Sequence, residues 1–243
     1  MGVPTRVELE PAWVLHTRQY RETSLIVELF TAHHGRMGVV ARGVRSPKSP
    51  LKAVLRPFQP LVVSWSGRGD LATLQKAECS GSGYTLDSVA LAGGFYASEL
   101  LLKLLQRRDP HPLLFAHYSG LMDALESDAT VEPGLRNFEL TLLRELGFGL
   151  NLSVDAYEML PLEDDQAYEY RLERGVVPIH EGTEAPLVFA GAVFKAIEAA
   201  DWSDPATLKA GKRLLRYTLD HYLDGRELQT RKVYTAMSAQ LSG

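Results

Sequence analysis

The sequence predicts an α+β chain, with an N-terminal five-stranded β-barrel of the OB type followed by a mainly α-helical domain. Three observations carry that prediction. Short apolar runs alternate with turn residues over residues 1–80, helical periodicity takes over from about Leu86, and 45% of the 243 residues are hydrophobic, enough to bury a core. The change of texture divides the chain into a barrel domain, 1–80, and a helical domain, 81–243, with an irregular segment at about 151–190.

The barrel strands are expected at Ala12–Thr17, Leu25–Thr31, Met37–Arg42, Leu61–Trp65 and Leu71–Glu78. Turn residues separate them, at His33-His34-Gly35-Arg36 and at Ser66-Gly67-Arg68-Gly69-Asp70. Five short strands in about 80 residues suit a small closed barrel, and the OB type is the commonest five-stranded barrel that binds nucleic acid.

The first helix is expected over Val89–Leu105, apolar on most faces and therefore buried, with Gly93-Gly94 allowing another backbone to approach. A second spans Pro112–Leu125, with Leu114, Tyr118, Leu121 and Leu125 on its apolar face. A third starts near Pro133 and stops at Gly147, placing Leu135, Phe138 and Leu142 on one stripe. Prolines and the Glu163-Asp164-Asp165 run break any period in 151–190, apart from one short hairpin at Tyr168–Arg171 and Val176–Ile179. Gly191–Ala200 and Pro205–Leu223 again read as helices, the latter with Leu208, Leu215, Leu219 and Tyr222 as its core stripe.

Charge is segregated along the chain. The total of 26 Lys plus Arg against 30 Asp plus Glu is mildly acidic, yet no acidic residue occurs in the 41 positions between Glu28 and Asp70. That stretch holds Arg36, Arg42, Arg45, Lys48, Lys52, Arg56 and Arg68. Uncompensated positive charge repels itself and contributes nothing to stability, so it points to a polyanion, with an acidic protein partner as the alternative. On the last long helix, Lys209, Lys212, Arg213 and Arg216 follow i, i+3, i+4, i+7 spacing and line one face, either a solvated surface or a second phosphate contact.

Signals for other chemistry are weak. The chain has no G-x-x-x-x-G-K-[ST] loop, H-E-x-x-H helix or G-x-S-x-G elbow. Gly67 to Ala72 fits the loose dinucleotide pattern G-x-G-x-x-A, but a strand-like run follows where a helix is needed, so a hairpin turn is the expectation. The histidines are scattered and Cys79 is the single cysteine, which precludes an internal disulfide and fits a reducing cytoplasm. No signal segment opens the chain and no apolar run approaches the roughly 20 residues of a membrane span, so no membrane contact is expected.

Several phrases, in order, resemble the bacterial RecO family of recombination mediators. They are Ala12-Trp13-Val14-Leu15-His16, Glu22-Thr23-Ser24-Leu25, Ala41-Arg42-Gly43-Val44-Arg45, Leu55-Arg56-Pro57-Phe58, Gly67-Arg68-Gly69 and Leu135-Arg136-Asn137-Phe138-Glu139-Leu140, with the likeness strongest over residues 10–150. The resemblance implies an OB-fold and a helical domain. It also implies a DNA repair protein of the cytoplasm and nucleoid, without enzymatic turnover, that binds single- and double-stranded DNA, anneals complementary strands and, with RecR, helps load RecA onto DNA coated by the single-strand-binding protein SSB. Many members carry a four-cysteine zinc site, and with Cys79 alone this chain looks like the zinc-free gammaproteobacterial members, so no metal or cofactor is expected. The family's docking of the acidic, hydrophobic SSB tail maps onto Leu135, Arg136 and Leu140, unless Arg136 only balances Glu132 or Glu139 on its own helix.

If phosphates bind Arg36, Arg42, Arg45, Lys48, Lys52 and Arg56, the contacts carry no sequence information and binding weakens steeply with salt. Trp13, Tyr20, Phe30, Phe58 and Trp65 are the aromatic candidates for base stacking, with Phe30 and Trp65 expected in the barrel core instead.

Overall fold

A computed structural model of the chain describes residues 5–67, 71–127, 131–179, 185–231 and 233. Contacts group the chain into two compact units, one of residues 1–131 and 227–243, the other Glu132–Arg226.

In the first unit, β1 (Thr5–Tyr20), β2 (Ser24–Thr31), β3 (Gly35–Ala41), β4 (Leu61–Gly67) and β5 (Leu71–Cys79) close into a barrel in the order β1-β2-β3-β5-β4. The ring is sealed because β1 pairs with both β2 and β4, through Ala12↔Thr31 and Ala12↔Leu61, and because β3 runs parallel to β5 through Val39↔Ala72. One strand serves two neighbours by bending, with register shifts between Val7 and Glu10 and between Val14 and His16. Alternate residues of each strand face inward, so Val14, Val27, Leu29, Val39, Leu61, Val63 and Trp65 share one buried core.

Two helices complete this unit, α2 (Ser88–Leu104) and α3 (Pro112–Glu126). They cover the outside of the barrel: the Trp13 indole N–H donates to Ser119 Oγ at 3.1 Å, and the Phe30 ring lies 5.4 Å from that of Phe115. This is why contacts group α2 and α3 with the barrel, whereas the change of texture falls at residue 80. At Gly94 the close approach comes from a ring and not a backbone, since a Cβ there would lie 2.8 Å from Phe58 Cε1. The returning segment joins the same unit, because the Glu99 carboxylate accepts the N–H groups of Gln229 and Thr230 at 3.1 and 2.9 Å.

The second unit contains nearly all of α4 (Val131–Glu145), together with β6 (Ala167–Arg171), β7 (Gly175–Pro178), β8 (Val188–Ala190), α5 (Gly191–Glu198) and α6 (Pro205–Leu223). The hairpin expected in the irregular segment is present, and β8 extends it into an antiparallel sheet of order β7-β6-β8. Helix boundaries follow their caps. The Asp204 carboxylate accepts from Ala206 N and Thr207 N at the start of α6, Pro205 takes the first turn, and Gly147 at φ +80° lies just past the end of α4. Phe194, Ile197, Leu214, Leu215 and Leu219 are fully buried.

Candidate nucleic-acid interface

The segment between β3 and β4 has anchors and cations in alternation. Val44 and Leu55 are buried in the barrel core, and Leu51 and Val54, the two ends of the short helix α1 (Leu51–Val54), pack against it. Between and beside those anchors Arg42, Arg45, Lys48, Lys52 and Arg56 all stand exposed. The apolar spacing therefore fixes the segment to the barrel and sends the long cationic side chains outward. Among the described residues, no hydrogen bond or ion pair engages the side chains of Arg42, Lys48, Lys52 or Arg56.

Arg45 joins this segment to the turn between β1 and β2. Its backbone N–H donates to Thr23 O at 2.9 Å, and its guanidinium to Glu22 O at 3.0 Å. Arg18, near the end of β1, and Arg21, in that turn, are both exposed, with the Arg21 guanidinium 5.1 Å from the centre of the half-buried Tyr20 ring. Sequence reasoning missed Arg18 and Arg21 because they precede the acid-free stretch and have Glu22 beside them; the signal available was the β1–β2 pairing itself. Seven exposed cations thus stand on the β1–β2 end and on the β3–β4 segment, Arg18, Arg21, Arg42, Arg45, Lys48, Lys52 and Arg56, and Arg45 ties the two together.

Other expected contacts take different places. Arg36 turns inward: its guanidinium donates to Leu102 O at 2.9 Å and lies 3.9 Å from Glu28, whose carboxylate also pairs with Arg107. Burial pulls Arg36 below the ordinary arginine range, and the Glu28 charge opposes that shift. It belongs to a partly buried charge cluster and not to the exposed surface. Arg68 lies outside the described residues, as does most of the turn that holds it. Trp13 and Phe58 join Phe30 and Trp65 in the interior, 4% and 5% exposed, because α2 and α3 cover that side; of the expected stacking rings only Tyr20 stays accessible.

In the second unit, Lys209, Lys212, Arg213 and Arg216 do share an exposed face of α6, and three of them have partners. Lys212 pairs with Glu132 at 2.8 Å, Arg213 donates to Pro186 O at 2.7 Å and sits over the Phe189 ring, and Arg216 lies 3.8 Å from Asp220. Leu135, Arg136 and Leu140 are all buried. Arg136 lies between two carboxylates of its own helix, Glu139 at 2.5 Å and Glu132 at 3.3 Å.

The dinucleotide pattern fails structurally, since its Leu71 and Ala72 open strand β5, where the pattern needs the start of a helix. A zinc site of four thiolates cannot be assembled from Cys79, the chain's one cysteine, which is exposed on β5. No described helix is long and apolar enough to cross a membrane.

Comparison with known proteins agrees with this architecture. The model of the recombination protein O N-terminal region matches residues 7–82, and that of its C-terminal region matches residues 85–232. The chain is 44% identical over 237 residues to the DNA repair protein RecO of Methylococcus capsulatus, covering 98% of this chain and 97% of that protein. It is 44% identical to the RecO of Dechloromonas aromatica, covering 96% and 98%, and 44% identical over 228 residues to that of Coxiella burnetii, covering 94% and 98%.

Proposed function

The chain belongs to the recombination protein O family of DNA repair proteins, and from that premise we propose that the cationic surface of its barrel holds the sugar-phosphate backbone of single- and double-stranded DNA. The supporting observation is one contiguous segment in which Arg42, Arg45, Lys48, Lys52 and Arg56 all project to solvent and no acidic side chain lies between them in the sequence. Phosphate contacts of this kind release counterions and ignore sequence, which is what strand annealing requires. Two polyanionic strands approach each other only when their repulsion is neutralised.

On this reading the protein anneals complementary strands in the cytoplasm, at the nucleoid, without turnover of a substrate. With RecR it helps load RecA onto SSB-coated single strands. For the SSB tail, a partner carboxylate reaching the buried Leu135, Arg136 and Leu140 has to displace Glu132 or Glu139 from the Arg136 guanidinium. The face with Lys209, Lys212, Arg213 and Arg216 is the weaker DNA candidate, since Lys212 and Arg216 lie beside carboxylates and Arg213 is held by Pro186 O and the Phe189 ring.

Annealing of bare complementary oligonucleotides tests the proposal. The wild-type chain accelerates duplex formation, and alanine at Arg42, Lys48 and Lys52 abolishes most of that acceleration. A basic adaptor that docks on an acidic protein gives no acceleration in either form, and that result overturns the proposal.

A further inference from the structure

We infer that a groove beside Arg56 receives an unpaired nucleobase from a strand whose phosphates lie on the cationic segment; the inference rests on the DNA-binding reading above. The groove has a volume of about 380 Å³, and Arg56, Phe58, Gln59, Tyr84, Leu91 and Phe95 line it. All of these belong to the first unit. Leu91 and Phe95 lie one turn apart on α2 and are unusually open for large apolar side chains, 36% and 38% exposed.

The site is built rather than incidental. Phe58 takes a left-handed backbone conformation, φ +58°, which a bulky residue adopts only when its surroundings enforce it. Its ring rests over Gly94, where a side chain would collide with it, and meets Phe95 edge to face at 4.9 Å. Phe95 and Tyr84 give the groove accessible aromatic walls of the kind on which any base can stack, and the buried Phe58 ring holds Phe95 in place from behind.

Charge decides between possible occupants. The mouth carries Arg56, the last of five exposed cations, and a run of five is matched to a repeating phosphate chain better than to one carboxylate. At the far end the Tyr84 hydroxyl donates to Asp123 at 2.6 Å, and Thr85 N–H donates to Glu126 at 3.3 Å. Those carboxylates repel an acidic peptide tail and set no like charge against a neutral base.

The test compares Phe95→Ala with Lys48→Ala/Lys52→Ala, using a fluorescent thymidine oligonucleotide, the same oligonucleotide with abasic sites, and a duplex. Base insertion predicts that Phe95→Ala weakens single-strand binding about tenfold at an unchanged salt slope, leaves duplex and abasic-strand binding as in wild type, and is rescued by Phe95→Tyr. The lysine pair weakens all three ligands and lowers the slope. If Phe95→Ala binds the single strand like wild type while the lysine pair loses slope, the groove inference is overturned and the phosphate surface stands. If the lysine pair keeps its slope as well, the DNA-binding reading itself fails. Tight binding of an acidic, phenylalanine-ended peptide that Phe95→Ala abolishes, with single-strand affinity intact, overturns the inference in favour of a peptide. Matching circular dichroism and thermal midpoints establish that the variants are folded.

Discussion

Replacing Arg42, Lys48 and Lys52 by alanine removes three of the five exposed cations on the segment between β3 and β4 while leaving Arg45 and Arg56 in place. Each phosphate contact on a single strand contributes about 0.7 to the slope of log affinity against log salt. Five contacts give a slope of about 3.5, so wild-type affinity falls roughly a hundredfold between 50 and 200 mM salt; two contacts give about 1.4 and a fall of about sevenfold. Anisotropy of a labelled oligonucleotide across a salt series reads both slopes directly. Because the three side chains are exposed and have no partner among the described residues, the variant's thermal stability should stay within about 0.5 kcal/mol of wild type. Parallel lines for the two proteins would falsify the assignment of this segment to phosphate.

Arg36→Ala behaves oppositely: it leaves Leu102 O without its guanidinium donor and Glu28 without one of its two neighbouring cations, costs about 1–3 kcal/mol in chemical denaturation and keeps the DNA salt slope. Arg136→Ala strands the buried Glu139 carboxylate and destabilises by about 3–5 kcal/mol, whereas the double change Arg136→Met with Glu139→Leu recovers most of that loss; equal midpoints for wild type and Arg136→Ala refute the buried pair. Burial alone would raise Glu99, but hydrogen bonds from Thr230, Gln229 and Lys103 bring it below the ordinary carboxylate value. Its contribution is therefore complete above the unfolded value of about 4.3 and disappears as pH falls through the lower folded value, so hydrogen exchange at Gln229 and Thr230 should lose protection in that acid window. Glu99→Gln should reproduce the loss at neutral pH.

The five barrel strands were legible because each is a short, β-branched run closed by turn residues, and the α6 boundaries because Asp204, Pro205 and the Asp224-Gly225 pair mark them. β1 was read too short. Its first half includes Glu8, Leu9, Glu10 and Pro11, and the bulge that turns Leu9 outward at φ +54° destroys the alternation a strand normally shows. Barrel closure was beyond local reading, since the β3–β5 pairing joins residues more than 30 positions apart. α1 was hidden by the Ser46-Pro47-Lys48-Ser49-Pro50 sequence and spans a single turn.

At the candidate site, the exposure of Arg42, Lys48, Lys52 and Arg56 followed from their place beside turn residues, while the fate of Arg36 did not. Composition shows that no acid sits near Arg36 in the sequence; it does not show that Leu102 O, in the last turn of α2, accepts from Arg36, or that Arg107, just past that helix, shares Glu28 with it. Trp13 and Phe58 were ambiguous for a related reason, because an aromatic on a barrel's outer surface is free or covered according to helices that come later in the chain. Arg136 was the reverse case. Glu132 and Glu139 stand at i−4 and i+3, so its pairing was written in the helical spacing.

The Glu99 anchor has a mechanical consequence. The polypeptide departs from the barrel unit after Val131 and comes home at Glu227, which makes residues 132–226 an insertion moored at two points. Tension applied between β1 and residues 227–231 would load the barrel unit first, and the inserted unit would feel it only after those last residues had peeled away from α2. A chain shortened to end at Arg226 accordingly loses a piece of its first unit, not a dispensable appendage of its second.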